Sequence, residues 1–203
     1  MCARRNRLAS ALAVVIWLAI APAWAGAEAA RPPAESMAKL ENIFAAVADG
    51  LWTASDEAWH VGRHDVSIEL CRMIVEIDPA FADAYSVGAL LLASAERDAE
   101  AVAMYERAIA ALPGQYAPRF DLGMHYYGQK EYAKAEKQFS EAVKASAPAH
   151  VWKMLAHSRE KLGRLPDALA AWDKVRELTP SDPVIESNVK RLEGKLSGGT
   201  GAH

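Results

Sequence analysis

Two histidines four residues apart, His60 and His64, have the spacing at which imidazoles on one helix face hold a zinc ion. Gly62 stands between them, and no Glu follows His60 as an H-E-x-x-H motif requires. The glycine marks a turn, so the two read as a turn histidine and a packing histidine. No Ser, His and Asp combination sits at a strand-turn-helix elbow, and no glycine-rich phosphate loop occurs. Lys153, His157 and Lys161 form an i, i+4, i+8 stripe, with His150 just before it. Such a stripe is either a solvated helix face or a basic patch for an acidic segment of a partner.

What positions these residues is a repeat. Pro79 and Pro113 lie 34 residues apart, and Pro180 follows 67 later. Cys71, Tyr105, Phe139 and Trp172 run at intervals of 34, 34 and 33. Ser67, Ala101, Ala135 and Ala168 keep the same intervals, as do Leu51, Tyr85, Arg119 and Trp152. Four columns share one period, with one common deletion between Ala142 and Trp152. Within each unit the apolar residues fall at i, i+3, i+4 and i+7, the stripe of a core-facing helix. The third unit shows it best, with Leu122, Gly123, Tyr126, Ala135 and Phe139. Cys71 occupies a column of large rings, which predicts a buried structural thiol.

The spacing and residue types resemble the tetratricopeptide repeat, whose pattern is W-x2-L-G-x2-Y, then A-x3-F, then P. The resemblance covers about residues 48 to 182. It implies an all-α, right-handed α-solenoid of about four helix pairs with capping helices at both ends. The predicted pairs are 48–61 with 64–77, 82–95 with 98–111, 116–128 with 131–146, and 149–162 with 165–178. The corresponding repeats are 48–81 (degenerate), 82–115, 116–148 and 149–182. Residues 26–47 are a linker and further helix, with Leu40, Ile43, Phe44 and Val47 packing on the first repeat. Residues 183–203 are a capping helix followed by a flexible tail from Ser197.

In such a stack the first helix of each pair lines an inner, concave surface. The register puts Trp52, Asp56, Trp59, Leu90, Phe120, Met124, Tyr127, Lys153 and His157 there. Tetratricopeptide proteins that capture a chain-terminal carboxylate carry a recurring Lys and Asn clamp on this face. The equivalent places here hold Trp52 with Asp56 and Phe120 with Met124, so that mode is not expected. An aromatic and apolar groove suits an amphipathic helix or an apolar peptide. The expected role is therefore a protein-binding scaffold with no catalytic residues, cofactor, metal or small-molecule substrate. The second reading is a self-assembling structural protein, a homo-oligomer whose groove is filled by a neighbouring copy.

The first residues read as an export signal. Arg4, Arg5 and Arg7 precede an uncharged run from Leu8 to Ala21, Pro22 breaks it, and Ala23-Trp24-Ala25 has the small-x-small pattern of a cleavage site. Residues 1–25 are thus expected to be a signal peptide, and the protein periplasmic or secreted, within a bacterial envelope assembly. Kept uncut, the 18 residues from Leu8 to Ala25 come near the lower limit of a membrane anchor. The chain has 203 residues, 52% of them apolar, and a net charge of −3. Without residues 1–25, which hold three Arg and no acid, 20 basic residues face 26 acidic ones, a net of −6. That balance argues against nucleic acid as a partner. Cys71 would be the sole remaining cysteine, so packing rather than a disulfide must stabilise the fold. The mature protein is expected to begin at Gly26; N-terminal sequencing checks this, and a product that retains Trp17 would refute it.

Overall fold

A computed structural model describes residues 33–199, so the expected signal peptide, residues 26–32 and residues 200–203 lie outside the described residues. The described residues form helices and no strands: α1 (Ala34–His60), α2 (His64–Ile77), α3 (Ala82–Ser94), α4 (Asp98–Ala111), α5 (Ala117–Gly128), α6 (Tyr132–Ala142), α7 (Ala149–Lys161), α8 (Leu165–Leu178) and α9 (Val184–Gly199). Each helix packs on the one before and the one after it. The result is an all-α solenoid of four helix pairs, α1/α2 to α7/α8, closed by α9.

The turn inside each pair is the same object four times. Gly62, Glu96, Lys130 and Gly163 occupy one register column, and all four have positive φ, at 75°, 59°, 62° and 74°. In the first turn the Gly62 amide donates to the Trp59 carbonyl and the Arg63 amide to the Ala58 carbonyl. The pairs Glu96–Ala93 with Arg97–Leu92, Lys130–Tyr127 with Glu131–Tyr126, and Gly163–Glu160 with Arg164–Arg159 repeat it. These are Schellman closures, which satisfy carbonyls that a helix end would otherwise leave orphaned. Only two of the four positions are glycine, because one strained residue per turn is tolerated once the closing bonds are made.

Close approach within each pair depends on missing side chains. A methyl group added to Gly123 in α5 would lie 2.5 Å from Cε1 and 2.7 Å from Cδ1 of Phe139 in α6. At Gly88 in α3 it would meet the Met104 methyl at 2.6 Å and Cys71 Cβ at 3.0 Å. The rings and small residues of the repeat columns are the core: Tyr85, Ala101, Tyr105, Ala135, Phe139, Ala168 and Trp172 are all buried. Cys71 is fully buried too, with the Ser55 hydroxyl 3.5 Å from its Sγ and 2.8 Å from the Ser67 hydroxyl. Burial pushes its thiol pKa up, in keeping with a structural role. One core runs from Ala48 to Leu122 and a second from Ala135 to Leu192, and Tyr126 packs against both.

Three boundaries differ from the sequence reading. The segment expected to form a further helix packed on the first repeat is instead continuous with it, in one helix of 27 residues. Leu40, Ile43, Phe44 and Val47 are consequently exposed. Helix α6 stops at Ala142, four residues before its expected end, and Ser146 at φ 51° turns the chain into Pro148. This linker absorbs the one-residue deletion, burying Ala147 with Ala142 and Val151 in a small separate cluster. At the C-terminus α9 continues through 197–199, which the sequence reading placed in the tail.

Gly123→Ala is expected to destabilise the fold by about 1–3 kcal/mol, because the buried Phe139 ring has nowhere to move. Gly88→Ala should cost clearly less, since the Met104 methyl is the free end of a flexible chain and the helix gains about 1 kcal/mol in propensity. Urea unfolding of both variants checks the order.

Candidate protein-binding face

The first helices α1, α3, α5 and α7 carry three further columns in the same register. They are Trp52, Ser86, Phe120 and Lys153; then Asp56, Leu90, Met124 and His157; then Trp59, Ala93, Tyr127 and Glu160. On α1, α3 and α5 the exposed large apolar residues of these columns are Trp59, Leu90 and Met124, at 49%, 60% and 40% exposure. Leu90 and Met124 share one column, and Trp59 stands one turn away from its first member, Asp56. Trp59 lies edge-on to His60 at 4.8 Å, and the His60 ring also meets the Asp56 carboxylate at 3.6 Å.

Several expected members of the face are packing residues instead. Trp52 is half-buried against the first core, its ring 5.4 Å from Phe81. Phe120 is wedged between repeats, 5.8 Å from Phe139 and 4.9 Å from His150. Tyr127 packs at 5.3 Å against Tyr132, and burial pushes its phenol upward. Phe120, Met124 and Tyr127 therefore do not form one free face; only Met124 is exposed. The reason is that the i, i+4, i+7 line runs along seams at both ends: His150 of the next repeat covers Phe120, and Tyr132 of the same pair covers Tyr127.

The basic stripe is likewise not free. Lys153 pairs with Asp182 from the loop before α9. His157 stands edge-on to the buried Trp172 at 5.3 Å, and desolvation lowers its pKa. Of the three, Lys161 alone is exposed. His60 and His64 end α1 and begin α2, on opposite sides of the Gly62 turn. Among the described residues no three His, Cys, Asp or Glu side chains come together as metal ligands.

Two polar features were missed. The Ser86 hydroxyl donates to Asp121 at 2.5 Å across α3 and α5, and burial raises the Asp121 pKa. Glu160 on α7 accepts from Arg191 and Lys195 of α9, with Arg191 Nη2 to Oε2 and Lys195 Nζ to Oε1 both at 2.7 Å. These cations, Arg191 first, hold the Glu160 carboxyl down at about 2. A readable signal existed: Arg191 and Lys195 are i, i+4 on the cap helix, so they share a face. Glu160 and Asp182 together latch α9 over the C-terminal end of the inner surface.

With this geometry in place, comparison with known proteins is informative. Residues 92–158 match the tetratricopeptide repeat family model. No curated protein sequence matches the chain. Among solved structures, TTC0263, a thermophilic TPR protein of Thermus thermophilus, superposes with a TM-score of 0.55 at 20% identity, covering 71% of this chain and 80% of that one. Pseudomonas aeruginosa pilF gives 0.60 at 20% identity, over 76% and 71% of the two chains. The first TPR of Spaghetti (RPAP3), bound to the HSP90 peptide SRMEEVD, gives 0.51 at 19% identity, over 57% and 93%. The helix pairs are of tetratricopeptide type, and these likenesses concern the fold.

The His157 environment has a pH consequence. Its pKa is lowered in the folded protein from the usual 6.5, so the unfolded chain takes up the proton first as pH falls. The stabilising contribution is complete above that value and is lost on acidification below it. Thermal melts between about pH 7 and 5 should show a decline that is shallower in His157→Phe.

Proposed function

We propose that this protein is an exported scaffold that holds a helix or extended peptide of another protein along its inner surface, within a bacterial envelope assembly. The observation that carries this reading is the set Trp59, Leu90 and Met124, exposed on three successive first helices. Large apolar side chains in adjoining register columns, outside two well-filled cores, make a contact surface rather than a folding element. Repeats that stack with nearest-neighbour contacts build extended surfaces of this kind. The peptide seated on one structural neighbour supports a peptide or protein as the class of ligand. The export signal in residues 1–25 supports the compartment.

The ligand is an apolar or amphipathic segment rather than a free carboxyl terminus. The face offers Asp56 at one end, and at the other it offers cations already engaged, Lys153 by Asp182 and Arg191 with Lys195 by Glu160. A carboxylate arriving there would have to displace internal ion pairs. Apolar anchors, by contrast, find Leu90 and Met124 directly.

Leu90→Ala with Met124→Ala is expected to leave the melting temperature nearly unchanged, since both side chains are exposed, and to weaken partner capture by roughly tenfold or more. Quantitative pull-down from envelope extract, wild type against variant, checks it. Unchanged capture would remove the inner face as the binding surface. Tyr126→Ala, which removes a ring shared by both cores, is the unfolding control.

A further inference from the structure

The N-terminal half of α1 has no partner within the described residues. Helix α1 has 27 residues and its neighbour α2 only 14, so α1 runs well past the far end of α2. On this overhang Leu40, Ile43, Phe44 and Val47 fall at i, i+3, i+4 and i+7 and lead straight into the buried Ala48. They are 44%, 56%, 52% and 44% exposed. This is a core-type stripe in solvent, and a patch of that kind marks a contact. Residues 26–32 offer no cover for it by type, consisting of Gly, Ala, Glu, Arg and Pro.

Charge identifies what fits it. Residues 33–115 hold 14 acidic and 5 basic side chains, a net of −9, whereas residues 116–199 hold 11 acidic and 14 basic, a net of +3. The overhang follows its half: Glu35 and Glu41 lie on it, and its one cation, Lys39, is paired with Glu35 at 2.8 Å. Two overhangs meeting stripe to stripe would bring two strongly acidic halves together, which costs energy. An overhang meeting the other half of a second copy gains it. That half has a shallow depression lined by the apolar Tyr132, Ala133 and Leu162 together with Lys130, Glu131 and Lys134; Glu131 is paired with Lys134, which leaves Lys130 as its uncompensated charge. Lys161 precedes Leu162 in the chain and is exposed.

We propose that the overhang of α1 is a self-association surface that docks, head to tail, on the lysine-rimmed face formed by the third and fourth helix pairs of a second copy. The Ile43 and Phe44 side chains enter the apolar depression, and Glu41 faces its lysines. Because the two surfaces differ, the contact is heterologous and propagates into short open chains. It uses neither Leu90 nor Met124, so the inner face stays available to its own ligand.

The test uses the protein in the form the cell processes, followed by sedimentation. The wild type should show a mass that rises with concentration and falls back towards monomer as added salt shortens the screening length to about 3 Å at 1 M. Ile43→Asp with Phe44→Asp should be monomeric with an unchanged melting temperature. Lys130→Glu with Lys161→Glu should weaken association at least about tenfold. Glutamate already serves at the equivalent turn position in the second pair, as Glu96, so folding is preserved. Leu90→Ala with Met124→Ala should associate like the wild type. The deciding experiment mixes the two monomeric variants. Each retains one intact surface, so the mixture should give a one-to-one dimer and nothing larger.

A wild type that stays monomeric at every soluble concentration overturns the proposal. So does a lysine variant that still dimerises alone, since that is a stripe-to-stripe contact. A mixture that remains monomeric overturns it, as does association lost in the Leu90, Met124 variant, which would place the stripe in the inner face instead.

Discussion

Helices in a pair can come only as close as the side chains between them allow, and here that distance is set by groups that are absent. Gly123 leaves the space that the Phe139 ring fills, and Gly88 leaves the space shared by Met104 and Cys71. Ala156 is buried in the same core as Trp172. Each ring is large enough to replace a missing neighbour with dispersion contacts over its whole surface. Once the pairs close at this spacing, the chain must leave each one through a turn of fixed shape. The four left-handed residues at 62, 96, 130 and 163 are that shape. The parallel alignment of α3, α5 and α7 follows, and so does the register that places Leu90 and Met124 in one column. The outer surface is thus a consequence of an inner packing rule.

What the surface can do is decided by what that rule leaves over. Trp52, Phe120 and Tyr127 are drawn into seams between helices, where their rings seal the cores. Lys153 and Glu160 are drawn into ion pairs that fasten the last helix. Both pairs are partly shielded, the Glu160 carboxylate most of all, so they hold α9 more firmly than surface pairs of the kind between Lys174 and Glu177. The large side chains left exposed in the inner columns of α1, α3 and α5 are apolar, and the face they form is selective through shape more than through charge.

The repeat was legible because a period of 34 leaves marks in several columns at once, and one conflicting residue cannot hide it. The helices over 64–77, 98–111 and 165–178 lie where the pattern puts them. The overhang was misread for a physical reason. The repeat register begins near residue 48, but no residue there ends a helix: Gly50 faces open space, and its cost of about 1 kcal/mol is too small to stop α1. The early end of α6 was hidden because Lys144, Ala145 and Ser146 are all compatible with helix. Only the placement of Pro148 and the burial of Ala147 decide the turn. For the inner face, periodicity gave the correct side of each helix but not its width. Whether Phe120 faces solvent depends on His150, thirty residues away in the next repeat, and no local pattern contains that distance.

The two cores divide the protein mechanically as well as chemically. One block ends at Leu122 and the other begins at Ala135, and Tyr126 is the residue in contact with both. Two stiff bodies joined through one helix behave as springs in series, and the softest element takes most of the strain. Helix α5 is the joint between them, and it carries Met124 on its inner face. A bend at α5 would change the curvature of the inner surface while leaving each block intact. A ligand spanning Leu90 on one side and α7 on the other would act as a splint across the joint, stiffening the molecule along its length.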